Sequence, residues 1–160
     1  YAVISIGKVA DIFDEEGCTK KIKAKDNQEG INKLTDIMGK NFTGLCMANL
    51  SDFDSLYAHK RDLEGYARAI EELDVEIPMI INKLDMDDLL IITADHGCDS
   101  TFKGTFHTRE NVPVIIYGRN LKEPKRLEIL ESMADIGATI AENFEVSRPL
   151  IGKSILEQLK

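Results

Sequence analysis

The sequence predicts an α/β domain with a mostly parallel sheet. Three observations lead there. Short apolar runs alternate with amphipathic helical stretches along the chain. The apolar runs have strand length and stop at glycine or polar residues. Unusual polar residues cluster just past those runs, which is where ligands gather in parallel sheets.

Each element has its own signal. Ala2–Ile6 is an apolar run closed by Gly7 and reads as a buried strand, followed by a short helical stretch, Lys8–Phe13. Asp14–Gly30 is polar and turn-rich. Gln28–Met38 places Ile31, Leu34, Ile37 and Met38 at helical spacing, with Gly39 as a stop. Gly44–Leu50 is the next apolar run. Asp62–Leu84 carries the longest helical pattern, through Leu63, Tyr66, Ile70, Leu73, Ile77, Ile80 and Leu84, and Pro78 is expected to kink or split it. Leu89–Thr93 and Val112–Tyr117 read as further strands, Met133–Phe144 as a helix and Ile151–Leu159 as a short terminal element. There is no internal repeat, low-complexity tract or linker.

At 160 residues the chain is long enough for one domain with its own core. A formal net charge of −8 argues against a general nucleic-acid or anionic-membrane binder, while leaving room for a local pocket that takes an anion. Cys18, Cys46 and Cys98 form neither a closed disulfide set nor a zinc-knuckle pattern, and reduced thiols in a cytoplasmic protein are the simplest reading. No apolar run reaches the roughly 18 residues that span a bilayer, and a signal peptide is not expected from this sequence. The opening at Tyr1, already inside a strand-like run, raises the expectation of a segment of a longer polypeptide.

The chemistry concentrates around three histidines, His59, His96 and His107. Asp54 and His59 lie five apart just past one strand, Asp95 and His96 are adjacent just past another, and His107 follows Asp95 by twelve residues. Imidazole and carboxylate together are ligands for Zn²⁺, Mn²⁺ or Fe²⁺. With two adjacent strand ends supplying them, a pair of nearby metals is geometrically reasonable. Two cations about 3.5–4 Å apart can clamp the attacking and leaving oxygens of a phosphoryl group in transit. Each residue also has an ordinary reading: an Asp-His dipeptide in a turn, Asp54 as a helix N-cap, His59 as a solvated helix residue. Residue chemistry alone leaves both readings open.

Five segments carry a resemblance to the phosphopentomutases, two-metal phosphoryl-transfer enzymes of the alkaline phosphatase superfamily. They are Ile6-Gly7-Lys8-Val9-Ala10-Asp11-Ile12-Phe13, Asp52-Phe53-Asp54-Ser55-Leu56-Tyr57-Ala58-His59, Ile92-Thr93-Ala94-Asp95-His96-Gly97, Gly104-Thr105-Phe106-His107-Thr108-Arg109-Glu110 and Ala134–Phe144. The resemblance runs from about Ile4 to Ser154, and the order and spacing of the segments carry it. The Ala-Asp-His-Gly element alone also occurs in cofactor-independent phosphoglycerate mutases and related phosphatases.

The resemblance implies a three-layer α/β/α, alkaline-phosphatase-like core, with this chain as its C-terminal portion. The N-terminal core strand and the cap domain would precede Tyr1. It implies two Mn²⁺ ions. Asp54, His59 and His107 would hold one; Asp95 and His96 would hold the other with an N-terminal aspartate. A phosphorylated threonine, also upstream, would be the nucleophile, so no catalytic nucleophile is expected in this chain, and Lys8 would contact the substrate phosphate. Thr93, Thr105 and Thr108 fit supporting hydroxyls instead. The implied partners are a pentose phosphate and a sugar bisphosphate primer, with no nucleic acid and no membrane. Two positions depart from the family pattern: Cys98 replaces an asparagine, and Phe106 replaces an acidic residue before the last metal histidine. The runner-up readings are a related phosphatase or phosphoglycerate mutase, and a non-catalytic metal-binding domain.

Overall fold

The computed structural model describes residues 1–121 and 123–159. The chain forms two compact units: Tyr1–Leu84 with His96–Pro113, and Asp85–Asp95 with Val114–Lys160.

In the first unit, strand β1 (Ala2–Ile6) is the centre of a parallel sheet of order β2-β1-β3, with β2 at Lys20–Ile22 and β3 at Gly44–Ala48. The register sets Ile6 beside Ile22 on one side and Ala48 on the other. Period-two alternation sends Ile4 and Ile6 to one face, where they pack with Ile37 of helix α2 (Asn27–Met38) and with Ile22, Leu34 and Cys46. Ile6 is completely buried, and truncating such a side chain to alanine costs about 2–5 kcal/mol. Burial pushes the Cys46 thiol up to about 11, so it behaves as a small apolar side chain. On the opposite face Ser5 is also buried, and its Oγ accepts from Ala10 N–H at 3.0 Å, which fixes the short helix α1 (Val9–Ile12) against the strand. Gly7 turns the chain with φ +80°, and a Cβ there would stand 2.6 Å from the Asn49 carbonyl oxygen, so only glycine lets the ends of β1 and β3 run this close.

Helix α2 starts at an Asp26 cap: the carboxylate accepts from Glu29 N–H at 2.8 Å, while Glu29 reaches back to Lys25 N–H at 3.0 Å. Helix α3 (Leu63–Lys83) starts at Asp62, which accepts from Gly65 N–H at 2.9 Å. The split expected at Pro78 does not occur: α3 is one helix of 21 residues. Proline removes one backbone bond and costs roughly 3 kcal/mol. The apolar register through Tyr66, Ala69, Leu73, Ile77 and Ile80 continues unbroken across it, and burial of that face favours the single rod. Among the described residues no helix is long and apolar enough to cross a membrane.

The α/β class and its parallel sheet are therefore what the structure shows. The remaining strands differ from a single mostly parallel sheet. In the second unit β4 (Leu90–Thr93) and β5 (Val114–Tyr117) pair with each other, antiparallel, with Leu90 opposite Tyr117. A parallel link needs a long crossover, usually helical, whereas residues 94–113 contain no helix. Strand β2 and a π-helical turn at Phe53–Ala58 are additions that the sequence pattern does not announce.

Helix α4 (Ala134–Asn143) of the second unit is held by a polar knot. Asp135, 4% exposed, accepts from Lys153 N–H at 2.7 Å and from Ser132 N–H at 3.2 Å. Thr139 donates to the Asp135 carbonyl oxygen at 2.6 Å and accepts from Ile155 N–H at 3.0 Å. The backbone N–H of Lys153, helped by that of Ser132, holds the Asp135 carboxyl below the ordinary carboxylate range, against burial that acts the other way. A folded-state value below the unfolded one of about 3.9 means stability that is fully present above the unfolded value and lost as pH falls through the folded one. Asp135→Asn should thus lower the melting temperature near neutral pH, and the gap to wild type should close between about pH 5 and pH 1. Thermal melts across that range check it; a gap independent of pH would contradict this account.

Candidate metal centre

Asp54 lies in the first turn of the π-helical segment Phe53–Ala58 that follows β3, and His59 is its C-terminal cap. Five residues at 3.6 per turn would leave them roughly 140° apart on an α-helix. The π-turn closes with an i to i+5 bond instead, His59 N–H donating to the Asp54 carbonyl at 3.1 Å, which lays the two side chains over one another. Asp54 Oδ2 then stands 3.2 Å from His59 Nε2. The turn itself is tied to the start of α2. Asp52 Oδ2 accepts from Asn27 N–H at 2.8 Å, and Asn27 Oδ1 accepts from Asp52 N–H at 3.0 Å. Behind Asp54, Phe53 meets Tyr66 edge-on at 5.9 Å, and partial burial first, then the nearness of Cys98 and Asp54, raise the tyrosine phenol.

His96 and His107 belong to the segment His96–Pro113 of the same unit. Their strands of chain are brought together at Gly97, whose carbonyl accepts from Thr108 N–H at 3.4 Å. A Cβ on Gly97 would lie 2.6 Å from Glu110 N and 2.9 Å from the Thr108 carbonyl oxygen. This close approach stacks the imidazoles of His96 and His107, centroids 3.6 Å apart and planes 13° from parallel.

The loop also fixes a tautomer. His59 Nδ1–H donates to the Thr105 carbonyl at 2.8 Å; a carbonyl can only accept, so the proton is on Nδ1. His107 Nε2 lies 3.2 Å from His59 Nε2 and 3.4 Å from Asp54 Oδ1. Among the described residues Asp54 Oδ1 is buried with no hydrogen-bond partner. A buried carboxylate oxygen without a donor, with imidazole nitrogens facing the same carboxylate, is a costly arrangement. A cation relieves it, either a proton on the imidazoles or a divalent metal. Ligand atoms bound tetrahedrally at about 2.0–2.2 Å stand about 3.3–3.6 Å from each other. The two imidazole nitrogens, 3.2 Å apart, meet that edge length, and each faces a different oxygen of the one carboxylate, His59 Nε2 at 3.2 Å from Oδ2 and His107 Nε2 at 3.4 Å from Oδ1. A wider grouping, within 4.8 Å, joins Asp54 and His107 with His96.

The sequence model of the metalloenzyme superfamily matches residues 1–148. The chain belongs to the metalloenzyme superfamily. Membership fits the donor set: one hard carboxylate and several imidazoles suit a divalent ion used in catalysis. When bound, such an ion supplies charge stabilisation for negative oxygens.

Of the residues expected at the site, the structure brings Asp54, His59, His96 and His107 of this metalloenzyme together. Asp95 precedes His96 directly and ends a segment of the second unit. Lys8 is exposed, at the turn after β1. The three threonines act differently from one another. Thr105 contributes its carbonyl, Thr108 Oγ1 accepts from Asp99 N–H at 2.6 Å, and the Thr93 hydroxyl donates to Ala94 O at 3.5 Å. Cys98 is half-buried, its Sγ 3.8 Å from Ser100 Oγ. The Phe106 side chain is 79% exposed, and the residue takes part through its carbonyl, which accepts from Arg61 at 2.7 Å. Arg61 and Asn27 escaped the sequence reading because neither is a metal-ligand type, and the bonds between Asn27 and Asp52 join segments 25 residues apart. A cavity of about 130 Å³ borders Asp26, Asn27, Asp52 and Tyr57, and none of the clustered residues lines it.

Gly97→Ala should push the His96 and His107 backbones apart while leaving every donor in place. Calorimetric titration with Mn²⁺ or Zn²⁺ is expected to show an affinity loss of about tenfold or more, with the helical signal unchanged.

Proposed function

We propose that this chain provides the metal-binding core of a phosphopentomutase, which interconverts ribose 1-phosphate with ribose 5-phosphate, and the deoxyribose pair likewise. One observation carries the reading. The Asp54 carboxylate stands within 3.4 Å of both His59 and His107, whose Nε2 atoms are 3.2 Å apart, and the three lie within segments whose order and spacing resemble that family. Two Mn²⁺ ions are the proposed cofactors, stabilising charge on a phosphoryl group in transit. Asp54, His59 and His107 serve one of them; Asp95 and His96 serve the other, with an aspartate from elsewhere in the full-length enzyme.

The chain's own residues do positioning work in this reading. The π-turn and the Thr105 carbonyl present two lone pairs in a fixed direction, so little reorganisation is needed on binding. Lys8 follows β1, and the segment carrying Asp54 follows β3, its parallel neighbour; both therefore leave the same edge of the sheet. An ammonium there is a point charge for the substrate phosphate. The nucleophilic threonine, the cap and the other ligand are assigned to further segments of the full-length protein, and the substrates, a pentose phosphate and a sugar bisphosphate primer, place the enzyme in the cytoplasm.

The test is turnover by the full-length enzyme, with Mn²⁺ and a sugar bisphosphate primer, on ribose 5-phosphate against phosphoglycerate. Mutase activity on the pentose is expected, with none from residues 1–160 alone. Isomerisation of phosphoglycerate, or net release of phosphate, would replace this reading with one of its relatives. His107→Ala is expected to weaken one metal site at least about tenfold more than the other; equal loss at both would break the ligand assignment.

A further inference from the structure

We infer that Arg61 is the positioning residue of the cluster: its guanidinium locks the loop 99–107 in the register that sets the His59 tautomer and carries His107 to Asp54. This rests on the cluster being a divalent-metal site, and on nothing about the sugar substrate.

Arg61 sits at the joint between the π-turn and α3. Its backbone has φ +56°, in the left-handed region that non-glycine residues adopt only when their surroundings impose it. Its N–H donates to Ala58 O at 3.1 Å, and the next residue, Asp62, donates to Tyr57 O at 3.0 Å and caps α3. From that corner all three guanidinium nitrogens reach one loop. Nε donates to Gly104 O at 2.6 Å, one terminal nitrogen to Asp99 O at 3.1 Å, and the other to Phe106 O at 2.7 Å. The guanidinium carbon also lies 5.9 Å from the centre of the Phe102 ring.

The pattern of acceptors gives this clamp a purpose at the site. The carbonyls of Gly104, Thr105 and Phe106 are consecutive, and they are taken in turn by Arg61, His59 and Arg61. His107 is the next residue. Gly104 has φ +132°, a conformation that L side chains rarely adopt, and as glycine it meets little steric barrier to other backbone angles. Released from Arg61, the peptides either side of Thr105 can rotate, and its carbonyl leaves His59 Nδ1. The imidazole is then free to carry its proton on Nε2, the atom that faces Asp54 and His107, and in that state Nε2 cannot ligate a metal. Lysine keeps the charge but offers donors from one point, so it cannot span carbonyls of residues 99, 104 and 106.

Arg61→Lys and Arg61→Gln are the variants, with Lys60→Ala, an exposed neighbour outside the site, as control. Histidine tautomers are read from long-range ¹H–¹⁵N spectra of the metal-free chain, and affinity from calorimetric Mn²⁺ titration and Co²⁺ absorption. Both Arg61 variants are expected to keep the helical circular dichroism, to show mixed tautomers at His59, and to lose metal affinity by about 10–100-fold. The control should match wild type. If wild type binds Mn²⁺ and Arg61→Lys binds it equally with a single His59 tautomer, the role of Arg61 is refuted and the metal site stands. If wild type binds neither ion, the metal site itself is refuted, and this inference with it.

Discussion

The site depends on a single backbone hydrogen bond, from His59 N–H to the Asp54 carbonyl. Its i to i+5 span converts a five-residue spacing, unsuited to one face of an α-helix, into a superposed carboxylate and imidazole. The cost of this irregular turn is met locally. Asn27 and Asp52 exchange side-chain bonds to backbone N–H groups at its start, and Ala58 and Tyr57 carbonyls are used at its end. Were the turn to relax to α-helical pitch, His59 would swing away from Asp54 even though every residue remained in place. The rare π-turn is therefore a device of the site, not an accident of the chain.

Sheet topology determines what else can join. β1 and β3 are parallel and in register from Ala2 opposite Gly44 to Ile6 opposite Ala48, so their exits lie side by side. Gly7 permits that closeness where a side chain would strike Asn49. Polar residues placed after both strands are then delivered to one edge, the general location of ligands in such sheets. Core and site are coupled through α2: its Ile37 packs on Ile4 and Ile6, and its first residue, Asn27, holds the loop before the π-turn.

The extent to which the sequence foretold this differs by element. Where period and chemistry agree, as in Ala2–Ile6, Asn27–Met38 or Leu63–Lys83, the pattern was readable to within a residue or two. β2 was not, because Lys20-Lys21-Ile22 is an edge strand with little apolar content, held by the Val3–Thr19 contacts as much as by its own preference. The antiparallel pairing of β4 with β5 was encoded in the absence of a helical stretch between residues 94 and 113, a signal of what is missing. At the site, Asp54, His59, His96 and His107 were legible as metal-type donors. Arg61 was not, since its function lies in three backbone carbonyls whose approach no residue pattern reveals.

Those carbonyls explain why an exposed aromatic side chain at Phe106 is compatible with the rest. Position 106 faces the site through its backbone, and its ring is left in solvent, so an acidic side chain there is not needed to hold the loop. The restraint comes from two sides: Gly97 and Thr108 draw the His96 and His107 segments together, while Arg61 pulls residues 99, 104 and 106 toward the π-turn. His107 lies between these anchors with its Nε2 3.4 Å from Asp54 Oδ1, an oxygen with no hydrogen bond among the described residues. A histidine restrained by backbone contacts tolerates change in neighbouring side chains, because the geometry a cation requires is stored in the main chain and in one guanidinium.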